Sequence, residues 1–212
     1  MENKIRIYNR VGAILLFIGL PVLLWALDDV PRRSDLKEAI SVVTLVAYSL
    51  MLAQFYLARS NKIILNEHKM SRVVKWHKVL GYSFVTVLLL HPFLIVVPRY
   101  FESGITPEEA FIQLITSFDN PGVLLGLIAW SLMLTIGITS LFRDQLPMSY
   151  KTWRVVHGIL SIVFIVTATW HAIDLGRHTD KAMMTFMLVM AGGGILLLLR
   201  TYFSKSTKKV AQ

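Results

Sequence analysis

Hydropathy divides the chain into six apolar runs separated by short polar segments: Val11–Leu27, Ala39–Ala58, Val79–Val97, Val123–Phe142, Val155–Ile173 and Ala182–Leu199. Each is close to the roughly 20 residues that a helix needs to cross a hydrocarbon core of about 30 Å. The pattern predicts an all-α integral membrane fold, a six-transmembrane-helix bundle forming a single domain over residues 1–212. Helices are expected near 11–27, 39–58, 77–97, 123–142, 154–173 and 182–201.

Composition agrees with that placement. Apolar residues make up 55% of the chain and charged residues only 17%, too few to clothe a soluble domain of this length. The first run follows Lys4, Arg6 and Arg10 in the manner of a secretion signal. It lacks a small-residue cleavage site before Asp28 and is followed by further spans, so a retained helix is expected. Cysteine is absent, which excludes disulfides, thiolate-held iron–sulfur clusters and covalent attachment of a haem through a Cys-x-x-Cys-His motif.

The cations give the bundle a direction. With the N-terminus inside, 16 of the 22 Lys and Arg residues fall in inner segments and 6 in outer ones. That asymmetry in short loops predicts both termini in the cytoplasm, in a bacterial inner membrane. The net charge of +9 then reads as topology and attraction to anionic lipid. Nucleic acid is not an expected partner, because the cations are spread over four short segments.

Within this frame the histidines are the chemistry. His77 and His91 lie fourteen residues apart in the third helix, and His157 and His171 lie fourteen apart in the fifth. Fourteen residues turn through about 1400°, roughly 40° short of four turns, so both imidazoles of a helix share a face about 21 Å apart along the axis. The two helices run in the same direction. His77 therefore matches His157 near the cytoplasmic face, and His91 matches His171 near the outer face. Two stacked bis-histidine sites of this kind suit axial ligation of two b-type haems, His77 and His157 holding an inner one and His91 and His171 an outer one. The bland alternative is four packed polar residues, since a buried imidazole can find hydrogen-bond partners. Against it stands the repeat of one spacing at matched depths. A divalent-cation site is disfavoured because no carboxylate neighbours the four at their depth.

Neighbouring residues add detail. Gly81, Gly158 and Ala168 stand near the ligands, where small side chains admit either a porphyrin or a packed helix. Phe84 and Phe164 lie seven residues from each histidine of their helix, midway between the two levels, as an inter-haem bridge or as ordinary core. Lys78 and Arg154 on the inner side, with Arg99 and Arg177 on the outer, are candidate partners for haem propionates or simple interfacial anchors. His68 reads as a solvated histidine of the basic loop. His178 reads as another, or as part of an outer acceptor site. The long outer segment Arg99–Pro121 is either a solvated loop or a short cap, with Pro107-Glu108-Glu109 as the helix start.

At this point the segments KWHKVLGYSFVTVLLLHPFLIV (75–96) and YKTWRVVHGILSIVFIVTATWHAI (150–173) resemble the third and fifth helices of the ferric reductase and NADPH oxidase transmembrane superfamily. The resemblance implies haem ligation by His77, His91, His157 and His171. It also implies electrons passing from the cytoplasm to a ferric chelate or dioxygen outside. Members with the complete reductase continue into flavin- and nicotinamide-binding domains. Here only about ten residues follow Arg200 and no Gly-x-Gly-x-x-Gly occurs. FAD and NAD(P)H are therefore expected only through a partner, a cytoplasmic flavoprotein reductase, and the chain alone leaves its status as an enzyme open. The layout is also similar to the haem subunit of the methionine-sulfoxide reductase system, which typically lacks a histidine matching His77. A quinol-linked membrane cytochrome b and a non-redox membrane scaffold are the other readings. The catalytic residues, the acceptor and the oligomeric state are not legible.

Overall fold

A computed structural model describes residues 2–203, with side chains from Ile7 onward. Among the 16 cations assigned to inner segments, the side chains of Lys4 and Arg6, and all of Lys205, Lys208 and Lys209, lie outside the described residues. No strand occurs among those residues. The helices are α1 (Glu2–Ile14), α2 (Leu20–Leu27), α3 (Asp35–Tyr56), α4 (Lys62–Glu67), α5 (Met70–Val96), α6 (Pro107–Thr116), α7 (Pro121–Leu141), α8 (Tyr150–Leu175) and α9 (Lys181–Phe203). Six stretches are long and apolar enough to cross a membrane: Ile7–Leu27, Asp35–Tyr56, Met70–Phe101, Pro121–Leu141, Tyr150–Leu175 and Lys181–Phe203. The protein is thus an all-helical integral membrane protein with six candidate spans.

Helix ends differ from the apolar runs for local reasons. The fifth span starts at Tyr150 because the Ser149 hydroxyl accepts from the Thr152 backbone, and the fourth starts at Pro121 because the Asn120 side chain accepts from Gly122 and Val123. The third starts at Met70, several residues before the apolar run, since the backbone ladder continues through Arg72, Lys75 and Lys78. The first span joins α1 to α2 through a π-helical turn, Leu15–Gly19. Pro21 has no N–H to give the Phe17 carbonyl, and a widened turn accommodates the missing bond.

Two loops hold helices that the apolar pattern does not reveal. The basic segment after Leu57 contains α4, capped by Asn61. The outer segment contains α6, whose start at Pro107 carries a full capping box: Thr106 accepts from the Glu109 backbone and Glu109 accepts from the Thr106 backbone. Phe111 of α6 stacks on Phe93 of α5, centroids 5.0 Å apart, which docks α6 against the end of the third span.

Neighbouring spans form a ring: α5 packs on α3, α3 on α9, α9 on α8, α8 on α7, and α7 back on α5. The first span lies outside the ring against α3 and α9. The histidine helices α5 and α8 are not a closely packed pair and face each other across the interior. Packing in lipid relies on close fit and buried hydrogen bonds rather than hydrophobic drive. Accordingly, Leu52, Ile165, Met183 and Met187 are fully buried where α3, α8 and α9 meet. Tyr48 on α3 reaches Thr169 on α8 with 2.6 Å between hydroxyls, and the Tyr56 hydroxyl donates to the Met190 carbonyl at 2.9 Å.

Six spans place the segment around Ser60 and that around Gln145 on one side and the α6 segment on the other. The chain has no cysteine, so single replacements report cleanly. In sealed vesicles Ser60→Cys and Gln145→Cys are expected to react with an impermeant maleimide from the same side, and Ser103→Cys only from the opposite one.

Candidate functional site

The third and fifth spans bring the four histidines together in two pairs at two depths. The rings of His77 and His157 stand 6.4 Å apart between centroids, at 63°. His91 and His171 line a single cavity of about 540 Å³ on the other side. Two imidazoles bound to opposite sides of one metal, with metal–nitrogen bonds of about 2.0 Å, have ring centres roughly 6.2 Å apart. The His77–His157 spacing meets that requirement. The cavity between His91 and His171 falls within the usual range for cofactor pockets, about 300–1,000 Å³. Among the described residues no group of three or more His, Asp or Glu side chains is placed to hold a metal ion. Each site thus offers two nitrogen donors, a set that fits a metal already held by a macrocycle.

All four rings are fixed through Nδ1. His77 Nδ1 lies 3.1 Å from the Leu57 carbonyl and His171 Nδ1 lies 2.8 Å from the Gly122 carbonyl. His91 Nδ1 lies 3.3 Å from the Thr44 hydroxyl, and His157 Nδ1 lies 3.3 Å from that of Ser140. A carbonyl only accepts, so Nδ1 carries the proton in His77 and His171. Thr44 spends its own hydrogen on the Ile40 carbonyl at 2.8 Å, so it too accepts from His91. In this tautomer Nε2 presents a lone pair, the state a metal requires of a histidine ligand.

Helix α7 supplies much of this surrounding structure. Beyond Ser140 and the Gly122 carbonyl, it places Gly126 against His171: a Cβ there would come within 2.6 Å of the ring. Trp130 lines the cavity and donates its indole N–H to the Leu89 carbonyl at 3.0 Å. Pro92, which follows His91, has no N–H to give the Leu88 carbonyl one turn back on α5.

The other residues singled out in the sequence fall into distinct places. Ala168 and Phe164 line the cavity, and Phe164 is only 5% exposed. Phe84 is half-buried and packs against the apolar core. Gly81 faces Gln54 across an ordinary contact distance, and Gly158 leaves room for the hydroxyl of Tyr202, so it serves the packing of α9. Arg99 and Arg177 stand at the cavity, joined by Arg33 and Lys37, which the sequence reading missed. Lys37 pairs with Glu102 at 2.5 Å and Arg177 donates to the Pro31 carbonyl at 2.7 Å. Arg154 lies over the Tyr150 ring, and Lys78 is exposed on α5.

Two histidines expected in solvent are buried. His178 is 3% exposed, with Nδ1 2.7 Å from Asp28 and Nε2 3.1 Å from Glu38. It ties the α2–α3 connection to the α8–α9 loop, and it lines the cavity. His68 is 6% exposed and sits edge-on to Trp76, centroids 4.8 Å apart. At His178 the loop brings in Asp28 and Glu38, which the local sequence does not contain, whereas His68 folds onto Trp76 only eight residues on.

The architecture is that of an integral membrane protein in which five apolar helices ring two pairs of imidazoles at two depths and a sixth lies outside. The chain belongs to the family described as ferric reductase like transmembrane component, which matches residues 43–168. The match runs from the second span into the fifth and contains His77, His91 and His157. A protein of Archaeoglobus fulgidus named only as uncharacterized is 42% identical over 160 residues, 76% of this chain and 87% of that one. No solved structure matches the chain.

The contact at Gly126 yields a test of packing alone. Gly126→Ala is expected to lower stability in detergent by about 1–3 kcal/mol through displacement of His171. Gly137→Ala, whose Cβ would meet Val85 at an ordinary 3.7 Å, should have little effect. Thermal unfolding of the two variants side by side measures the difference.

Proposed function

We propose that the protein is a haem-b electron-transfer component of the cell membrane, carrying electrons from a cytoplasmic donor to an acceptor of the ferric chelate or dioxygen type at the outer face. One observation carries the reading: each of the four intramembrane histidines is engaged at Nδ1, and in His77, His91 and His171 the partner holds the proton there, which leaves Nε2 for a metal. The same arrangement recurs at two depths on two separated helices. Family membership supports the same role.

In this reading His77 and His157 hold an inner haem and His91 and His171 an outer one, and the bound groups supply one-electron chemistry at iron. The chain's own residues do the rest. Leu57, Thr44, Ser140 and Gly122 orient the imidazoles through Nδ1. Phe164 and Phe84 fill the space between the levels with apolar rings, and the surrounding aliphatic side chains exclude water. Arg99, Arg177, Arg33 and Lys37 offset carboxylates at the outer mouth, while Arg154 and Lys78 are the cations on the inner side. FAD and NAD(P)H act through a separate flavoprotein reductase, steered to the basic inner face by its own acidic surface. Both termini then lie in the cytoplasm.

Purified protein is expected to give a reduced-minus-oxidised spectrum of b-type haem at two haems per chain. His77→Ala and His157→Ala should remove one spectral component, and His91→Ala and His171→Ala the other. Thr44→Val should weaken retention of the outer haem alone, by about 10–100-fold in affinity. Protein that stays colourless after haem loading would sink the proposal, and so would loss of one shared component in both His77→Ala and His91→Ala.

A further inference from the structure

The first two turns of α8 carry an aromatic column that the histidine pattern does not account for. Tyr150, Trp153 and His157 recur at spacings of three and four and so share a helix face. Tyr150 and Trp153 are stacked at 5.9 Å and 18°, and Trp153 and His157 lie 4.9 Å apart at 31°. His77 follows at 6.4 Å. Tyr150 is 52% exposed at the helix start, whereas Trp153 is half-buried. Four rings therefore run without a break from the surface to the His77–His157 pair. Among the described residues no ring contact of this kind reaches His91 or His171, so the column belongs to one side of the membrane only.

The column is held in place and charged at its outer end. The Trp153 indole N–H donates to the Thr139 carbonyl at 3.2 Å, on the last turn of α7, which sets the ring plane. The Arg143 guanidinium lies 5.0 Å from the Tyr150 ring centre and 6.0 Å from that of Trp153, and it also pairs with Asp144. Arg154 covers Tyr150 at 5.9 Å. With Lys151 these make a cationic rim around an exposed ring, a surface that complements an anionic protein.

We infer that this column is where a reduced, acidic flavoprotein delivers electrons, with Trp153 as the bridging residue between Tyr150 at the surface and the inner metal site. The inference rests on the reading that His77 and His157 hold a redox metal. A fully reduced flavin would give up one electron and become its semiquinone, and a metal held by His77 and His157 would supply the one-electron acceptor. No bond forms on Tyr150 or Trp153, and neither changes its charge. Their contribution is an unbroken path of polarizable rings in place of aliphatic packing. Trp153 is thus a positioning and conducting residue and not a ligand.

The test is stopped-flow reduction of the haem-loaded full chain in detergent by a fully reduced acidic flavodoxin, read at the inner-haem band. Trp153→Leu and Tyr150→Leu are each expected to slow reduction several-fold with both haems retained. Trp153→Phe, which keeps a ring but loses the bond to Thr139, should recover most of the rate. Arg143→Gln should flatten the salt dependence. An unchanged rate in Trp153→Leu with haem retained would overturn the inference. If Trp153→Leu loses haem, Tyr150→Leu decides, because Tyr150 is exposed and one ring removed from His157: an unchanged rate there overturns it too. Equal slowing in Trp153→Phe and Trp153→Leu would make the indole hydrogen bond, and not the ring, the part that matters, against the inference. Colourless wild-type protein would instead defeat the underlying haem reading.

Discussion

An imidazole inside a bilayer has two ring nitrogens and no water to satisfy them, and leaving either unpaired costs several kcal/mol. Four contacts around the two histidine pairs answer this constraint at Nδ1. Partners for Nδ1 come from four different places: the end of α3 at Leu57, the middle of α3 at Thr44, the start of α7 at Gly122 and its end at Ser140. Because two of these are backbone carbonyls, they cannot be changed by substituting a side chain at that position. The chain must instead bring the correct stretch of backbone to the correct depth, which ties the lengths of α3 and α7 to the fourteen-residue spacing on α5 and α8.

The ring of helices follows from the same need. If α5 and α8 packed directly, their imidazoles would be driven together or aside. Held apart by α3 and α9 on one flank and α7 on the other, they leave an interior into which the rings project. The half of that interior next to α6 is an open cavity with cations at its mouth, screened by α6 through Leu114 and Ile115. In the other half the rings of His77 and His157 approach each other at 6.4 Å between centroids.

The spans and the pairing of histidines were legible because both depend on periodicity, which a linear chain displays. Helix ends were less so, since Ser149 and Asn120 act through bonds to backbone two or three residues on, independent of hydropathy. What surrounds the histidines was mostly hidden. The Leu57 and Gly122 carbonyls carry no side-chain signature, and Gly126 matters only because α7 passes His171, a relation that no local pattern encodes. At Gly158 the helix-packing alternative holds: a small residue next to a histidine makes room for Tyr202 on another helix. Loop histidines misled for a related reason. Polarity nearby in sequence implies solvent only when the loop does not fold back, and Asp28 and Glu38, which enclose His178, lie some 140 to 150 residues away from it.

Helix α7 contributes no histidine, yet it touches both levels: Gly122 and Gly126 at one end, Thr139 and Ser140 at the other. These contacts sit on one rigid rod. A rotation by a single residue, about 100°, would carry Gly126 off His171 and Ser140 off His157 in the same movement. The two centres therefore share a mechanical alignment and cannot be retuned independently from this helix. A change that improves one level by shifting α7 is felt at the other about 20 Å away, and the same coupling runs through α3, whose Thr44 and Leu57 anchor His91 and His77.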